Sequence, residues 1–191
     1  MFRRILFLFP LAATLFAADA KIVLLAGKPS HPPLMHEYNA GMILLEKCLR
    51  QTPGVQPVVI KGGWPEDESI LKDAHAIILY MDGGGKHATL DHLEFLAGLM
   101  SKGVGLAGLH YAVEVPAQRG GPQFLDWLGG YYETGYSKNP INEPMLDQAS
   151  PQHPVSAGWK SYQYKDEWYY KIRFQEGDKR VTPILTAMLP K

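Results

Sequence analysis

The chain has 191 residues, with 19 basic and 19 acidic side chains and no formal net charge at neutral pH. This balance excludes the strongly basic surface that binding to nucleic acid or to anionic lipid requires. The only cysteine, Cys48, excludes an internal disulfide, so the stability of the fold must come from ordinary burial.

The first 20 residues have the layout of a secretory signal peptide. A short basic start precedes an apolar run from Ile5 to Ala17, and Ala18 and Ala20 occupy the −3 and −1 positions of a cleavage site before Lys21. The run is too short to span a bilayer comfortably. We therefore expect an exported, periplasmic or extracellular protein with no integral membrane segment after cleavage.

The remaining chain, residues 21–191, alternates between predicted strands and helices. Continuous apolar runs predict buried strands at 21–26, 55–60, 74–81 and 103–109. Helical spacing of apolar residues predicts helices at 36–50, 66–72 and 90–102. This alternation is typical of a single α/β domain with a doubly wound, mostly parallel sheet and helices on both faces.

The pattern changes after about Gly130. Residues 131–142 are aromatic and polar and are interrupted by glycine and proline, which indicates an excursion or a lid-like loop. Shorter strands are predicted at 143–146, 162–172 and 181–186, and the last two are candidates to extend the sheet. There are no internal repeats or domain linkers.

Chemically active residues follow three of the predicted strands at one edge of the sheet. Ligands of open α/β sheets bind beyond the carboxyl ends of the strands. The residues that lie there are His31, His36 and Glu37 after the first strand, the turn Asp82-Gly83-Gly84-Gly85 after the third, and His110 with Tyr111 after the fourth. Imidazole exchanges protons near neutral pH and also binds metal ions.

Each of these residues also has a structural interpretation. His36 and Glu37 suit the start of a helix, His31 suits an ordinary loop, and the glycines suit either a tight turn or a close approach of backbone amides to a ligand. Neither common nucleotide-binding glycine motif is present. The other histidines are interpreted as structural, surface or turn residues: His75, His87, His92 and His153.

His110 stands at a strand-to-helix turn that resembles a nucleophile elbow. The nucleophile of such a turn is usually serine or cysteine. Cys48 instead falls at a helical core position and is interpreted as a small buried hydrophobe. A cysteine-dependent hydrolase or amidotransferase is therefore not expected, and the turn offers a base, an acid or a ligand.

A second cluster, Asp166-Glu167-Trp168-Tyr169-Tyr170, joins acids to aromatic rings. Rings and carboxylates together suit sugars, because the C–H faces stack while the hydroxyls form hydrogen bonds. The alternative is a half-buried strand with surface acids.

Together these segments resemble the ThuA-like family of trehalose-utilisation proteins, within the class I glutamine amidotransferase-like superfamily. The matching segments are KIVLLAGKPSH, His36-Glu37, DGGG, GLHYAVE, FLDWLGGYYETG and DEWYY. The resemblance implies a flavodoxin-like sheet, with His110 where amidotransferases carry cysteine, and a role in carbohydrate utilisation. Similar proteins usually continue past the segment VTPILT, which implies that this chain is either a short member of the family or a fragment.

The leading hypothesis is an enzyme that acts on a disaccharide or keto-sugar by histidine acid/base chemistry. His110 and Glu167 are the predicted catalytic residues. Substrate-binding residues are predicted at His31, His36, Glu37, Asp82, Gly83, Gly84, Tyr111 and Trp168. The cofactor is open: His31, His36, Glu37 and His110 are suitable ligands for a divalent metal, although their spacing matches no standard motif. The alternative is a non-catalytic sugar-binding or scaffold module, and a homo-oligomer is compatible with either.

Overall fold

The computed structural model describes residues 19–189. Most of the predicted signal peptide, 1–18, lies outside the described residues, and export stays a prediction. The first strand, β1 (Ala20–Ala26), begins one residue before the expected cleavage point. Among residues 19–189, no helix is long and apolar enough to cross a membrane.

A four-stranded parallel sheet forms the centre of the protein. It contains β1, β2 (Val55–Ile60), β3 (Ala76–Tyr80) and β4 (Gly105–Gly108). The strand order is β2-β1-β3-β4, and all neighbouring pairs are parallel. The predicted α/β class and the mostly parallel sheet are confirmed.

Helices cover both faces of this sheet, as predicted. The part of the chain that the structure describes contains three α-helices, namely α1 (Tyr38–Leu49), α2 (Leu93–Met100) and α3 (Gly121–Leu128). Successive residues of a strand point to opposite faces. Leu24 accordingly packs in one cluster with Met42 of α1, whereas Val23 belongs to the cluster on the other face with Phe124 of α3. Full burial of each such side chain stabilises the fold by about 1.5–3 kcal/mol.

Two expectations about the helices need correction. The short helix predicted at 66–72 is present, but it is a 3-10 helix limited to Glu68–Leu71, which begins where the Asp67 carboxylate accepts a hydrogen bond from the Ser69 amide. Cys48 is exposed and not part of the core. The buried stripe of α1 leaves it on the solvent side.

Beyond the central sheet, the chain forms short strands that pair locally. They are β5 (Glu114–Val115), β6 (Gly130–Glu133), β7 (Ile141–Asn142), β8 (Met145–Gln148), β9 (Tyr162–Gln163), β10 (Asp166–Glu167), β11 (Arg173–Phe174) and β12 (Leu185–Ala187). Their sheets have the orders β11-β6-β5, β10-β7 and β12-β8-β9.

Three expectations for this second half are therefore corrected. The segment 162–172 is not one strand, and neither it nor 181–186 extends the central sheet, because the pieces find antiparallel partners close by. The excursion at 131–142 begins as strand β6, in which Tyr131 and Tyr132 are buried.

Candidate functional site

Three loops meet beyond the carboxyl ends of the central strands. The loop after β1 carries His31 and His36, Asp82 follows β3, and His110 follows β4. The strand order reverses between β1 and β3, the position at which open α/β sheets form their ligand crevice. The topology therefore brings these four side chains to the switch point of the sheet.

The three histidines form a continuous chain of imidazoles. His110 Nε2 lies 2.9 Å from His36 Nε2, and His36 Nδ1 lies 3.1 Å from His31 Nδ1. Burial lowers the pKa of His36, and its two imidazole neighbours lower it further. His36 is thus a neutral bridge at neutral pH, with one ring proton to share between two contacts.

Two of these histidines have left-handed backbone conformations, with φ of 46° at His36 and 53° at His110. Residues other than glycine rarely adopt such angles. His110 is the sharp apex between β4 and a 3-10 turn at His110–Val113. Strained backbone of this kind concentrates at functional sites, and here it directs both imidazoles into the crevice.

Asp82 anchors one end of the imidazole chain. Its Oδ1 accepts hydrogen bonds from the Tyr38 hydroxyl at 2.6 Å and the Ser30 hydroxyl at 2.7 Å. The same oxygen lies 3.6 Å from His31 Nδ1. Burial raises the pKa of the Tyr38 phenol, as does its hydrogen bond to Asp82. Tyr38 therefore remains a proton donor and holds the carboxylate in place.

Glu167 lies at the other end of the imidazole chain, beside His110. Its Oε2 lies 3.4 Å from His110 Nε2, and its Oε1 accepts a hydrogen bond of 2.7 Å from Asn139 Nδ2. Strand β10 is held against β7 by the pairs Asp166–Asn142 and Glu167–Ile141. The excursion after β6 thus supplies both the strand and the amide that place this carboxylate beside His110.

Tyrosine rings form a wall beside the imidazoles. The Tyr169 ring lies 5.0 Å from the His110 ring and 4.9 Å from the Tyr132 ring, and the Tyr111 ring lies 5.6 Å from His36. Burial raises the pKa values of all three phenols. The crevice combines neutral aromatic surface with proton-exchanging groups.

Four predicted site residues do not face this cluster. Glu37 is exposed and accepts a hydrogen bond from the Leu34 amide. The Trp168 indole donates to the Asn142 carbonyl. Gly83 and Gly84 are buried against protein atoms.

Gly83 packs against the turn that carries His110. A Cβ at this position would meet the Tyr111 carbonyl oxygen at 2.3 Å. Its missing side chain therefore lets the loop after β3 approach the His110 turn. This close packing of two protein segments, and not the approach of a ligand, explains the glycine at position 83.

The predicted site residues do not include Ser30, Tyr38, Asn139 or Tyr169, although Tyr169 belongs to the second cluster of acids and rings. A signal was available for Tyr169, because residues two apart in an extended segment point to the same side. A catalytic Glu167 therefore implies Tyr169, and not Trp168, as its neighbour in the site. Ser30 and Asn139 sit in irregular loops with no pattern that marks them.

Two groups of side chains in the described range have the donor types and spacing for a metal ion. They are His31, His36 and Asp82, and His36, His110 and Glu167. Within each group the possible ligand atoms lie within 4.8 Å of one another. His36 belongs to both groups.

His87 stands behind the site and is 3% exposed. Its Nε2 contacts the Ala112 carbonyl at 3.0 Å, and its Nδ1 accepts a hydrogen bond from the Thr89 amide. Burial lowers its pKa to about 4. His87 thus ties the turn after β3 to the 3-10 turn of His110, a structural role as expected.

Comparisons with known proteins rest on structure alone, since no family model and no curated protein sequence matches this chain. A ThuA-like protein of Bacteroides uniformis aligns with a TM-score of 0.59 and 18% identity over 84% of this chain and 64% of that chain. A ThuA-like protein of Parabacteroides merdae aligns with a TM-score of 0.53 and 17% identity over 82% and 64%. PurLQS of Thermotoga maritima aligns at 0.46 and 13% identity over 90% and 76%.

The likeness to the two ThuA-like structures confirms the predicted ThuA-like fold. The chain spans about 64% of the length of each. At these sequence identities the likeness concerns the fold alone.

Proposed function

We propose that this chain is an exported carbohydrate-utilisation enzyme that transfers protons on a disaccharide or keto-sugar, with His110 as the acid/base and Glu167 as its partner. The observation that carries the proposal is the position of His110 Nε2, 2.9 Å from His36 Nε2 and 3.4 Å from Glu167 Oε2. One imidazole there meets both a neutral imidazole and a carboxylate.

The proposed chemistry begins with a sugar C–H bond next to a carbonyl. His110 Nε2 takes the proton, and the bonding electron pair moves into an enediolate whose negative charge lies on the former carbonyl oxygen. Glu167 Oε2, which lies 3.4 Å from the same nitrogen, stabilises the imidazolium that forms through its negative charge. The proton then returns to the former carbonyl carbon, and the hydroxyl proton of the first carbon moves to the former carbonyl oxygen. The first carbon thereby becomes the carbonyl and the second carbon carries the hydroxyl, which completes an isomerisation.

The surroundings of His110 support a sugar as the substrate. Tyr169, Tyr132 and Tyr111 offer ring faces for the C–H surface of a pyranose. His31, His36 and Asp82 offer hydrogen-bonding groups for hydroxyls and for the enediolate oxygen. The chain has no net positive charge that would favour a polyanionic substrate. The ThuA-like fold agrees with a place in carbohydrate metabolism.

The test is conversion of trehalose and 3-keto-trehalose by the purified chain, followed by NMR. We expect turnover of the keto-sugar, a loss of about 10²–10⁴-fold in His110→Ala, and a smaller loss in Glu167→Gln. His153→Ala is the matched control, because His153 lies in a turn outside the cluster. Circular dichroism verifies that each variant is folded.

Two outcomes would refute the proposal. Full turnover by a folded His110→Ala variant would remove His110 from the chemistry. No conversion by the folded wild type, together with binding of the sugar, would instead identify a non-catalytic sugar-binding module. Processing after Ala20 in an exporting host is a separate test of the signal peptide.

A further inference from the structure

We propose that His36, His110 and Glu167 together bind one divalent transition-metal ion of the zinc class. This inference goes beyond the proposed function, because it concerns the free protein and needs no substrate. The three side chains come from the loop after β1, the turn after β4 and strand β10. Residues distant in the sequence thus converge on one point.

The distances suit such an ion. Zinc lies about 2.0–2.2 Å from histidine nitrogen and carboxylate oxygen, which places tetrahedral ligand atoms about 3.3–3.6 Å apart. The separations of His110 Nε2 from His36 Nε2 and from Glu167 Oε2 are 2.9 Å and 3.4 Å. All three ligand atoms lie within 4.8 Å of one another. To bind the ion, the His36 and His110 nitrogens, now 2.9 Å apart, have to separate by about 0.4–0.7 Å.

The ligands are held from behind, as metal ligands usually are. Asn139 Nδ2 donates to the Glu167 oxygen that faces away from His110, at 2.7 Å. His36 Nδ1 contacts His31 Nδ1 at 3.1 Å, which directs His36 Nε2 toward the site. Two of the three ligands are thus oriented before an ion arrives.

The second group, His31, His36 and Asp82, is less suitable. The Asp82 oxygen that faces His31 already accepts hydrogen bonds from Tyr38 and Ser30. An ion on this oxygen would have to compete with both hydroxyl donors. Glu167 Oε2 faces His110 while the other oxygen of the carboxylate takes the amide. In this proposal His31 contacts the metal ligand His36 and Asp82 contacts His31, and neither residue binds the ion.

The proposed site also keeps an open side. The His110 and Glu167 side chains are 30% and 31% exposed, so water or a ligand oxygen can reach a bound ion. Three protein ligands with one open position are the arrangement of catalytic zinc sites. An ion and a proton would use the same lone pair on His110, so the metal-bound and proton-accepting forms exclude each other.

The experiment titrates chelator-treated protein with Zn²⁺ alone by calorimetry and with Co²⁺ by visible absorption. We expect one ion per chain, and a loss of affinity of at least about tenfold in each of His36→Ala, His110→Ala and Glu167→Gln. His153→Ala is the control for adventitious histidine binding. Asp82→Asn tests the second group and is expected to have a smaller effect than Glu167→Gln. Thermal melts establish that the variants are folded.

The proposal is overturned if the folded wild type binds no ion, or if His153→Ala weakens binding as much as His110→Ala. It is also overturned if Asp82→Asn abolishes binding while Glu167→Gln leaves it intact, because the ion would then belong to the other group. None of these results depends on sugar turnover, so the failure of the metal site and the failure of the proposed enzyme are distinguishable.

Discussion

Acid should destabilise this protein through one buried histidine. His87 is neutral in the folded chain, where burial lowers its pKa from 6.5 to about 4. The unfolded chain binds this proton at higher pH than the folded chain does. The contribution of His87 is therefore fully present above pH 6.5 and is lost as the pH falls toward 4. At about 1.36 kcal/mol per pH unit, the loss amounts to about 3 kcal/mol.

The assay compares the urea unfolding of wild type and His87→Gln between pH 4 and pH 7.5. Glutamine retains a donor for the Ala112 carbonyl but does not titrate. The difference in the free energy of unfolding between the two proteins isolates His87, because the carboxylates are common to both. Wild type should have the advantage at pH 7.5 and should lose about 3 kcal/mol of it by pH 4.

A difference between the two proteins that stays constant across this pH range would refute the reasoning. It would mean that His87 titrates alike in the folded and unfolded chains, and that burial does not hold it neutral. The tie between the turn after β3 and the His110 turn would then need another explanation.

Three further predictions concern single positions. Gly83→Ala should destabilise the fold by about 1–3 kcal/mol or more and lower the activity, because the new methyl group meets the Tyr111 carbonyl. Denaturant unfolding measures the loss, and unchanged stability would contradict this packing. Asn139→Ala should lower kcat about fivefold, because Glu167 loses its hydrogen bond from Asn139 and a rise of about 1 kcal/mol in the activation free energy has this effect. An unchanged kcat in steady-state kinetics would show that this hydrogen bond is dispensable. Exposed Cys48 should react readily with iodoacetamide without loss of turnover, and inactivation would argue against a histidine-based site.

The central sheet was predictable because strands buried on both faces leave continuous apolar runs. The run at 55–60 marks β2 with the bounds found in the structure. The second half of the chain lacks such runs. The positions of its two-residue strands depend on which other segment of the chain lies close enough to pair with them. The segment 162–172 carried strand-forming tyrosines, yet tertiary contacts divided it into β9 and β10.

The site was predictable to the level of loops, and less so to the level of side-chain direction. The edge rule for parallel sheets predicts that His31, His36 and His110 lie together. The same rule selected Glu37, whose side chain turns back to the Leu34 amide. Direction depends on local backbone angles such as the left-handed φ of His36, and no periodicity in the sequence encodes them.

The left-handed backbone at His36 and His110 also lowers the stability of the fold, at the two positions whose imidazoles the proposed chemistry needs. Each position costs on the order of 1–2 kcal/mol relative to a residue that tolerates this conformation. Glycine or asparagine would recover part of this energy and would remove the imidazole. In a mutant library selected for thermal resistance alone, glycine or asparagine should therefore replace histidine at these two positions. A library selected for sugar turnover should retain both histidines.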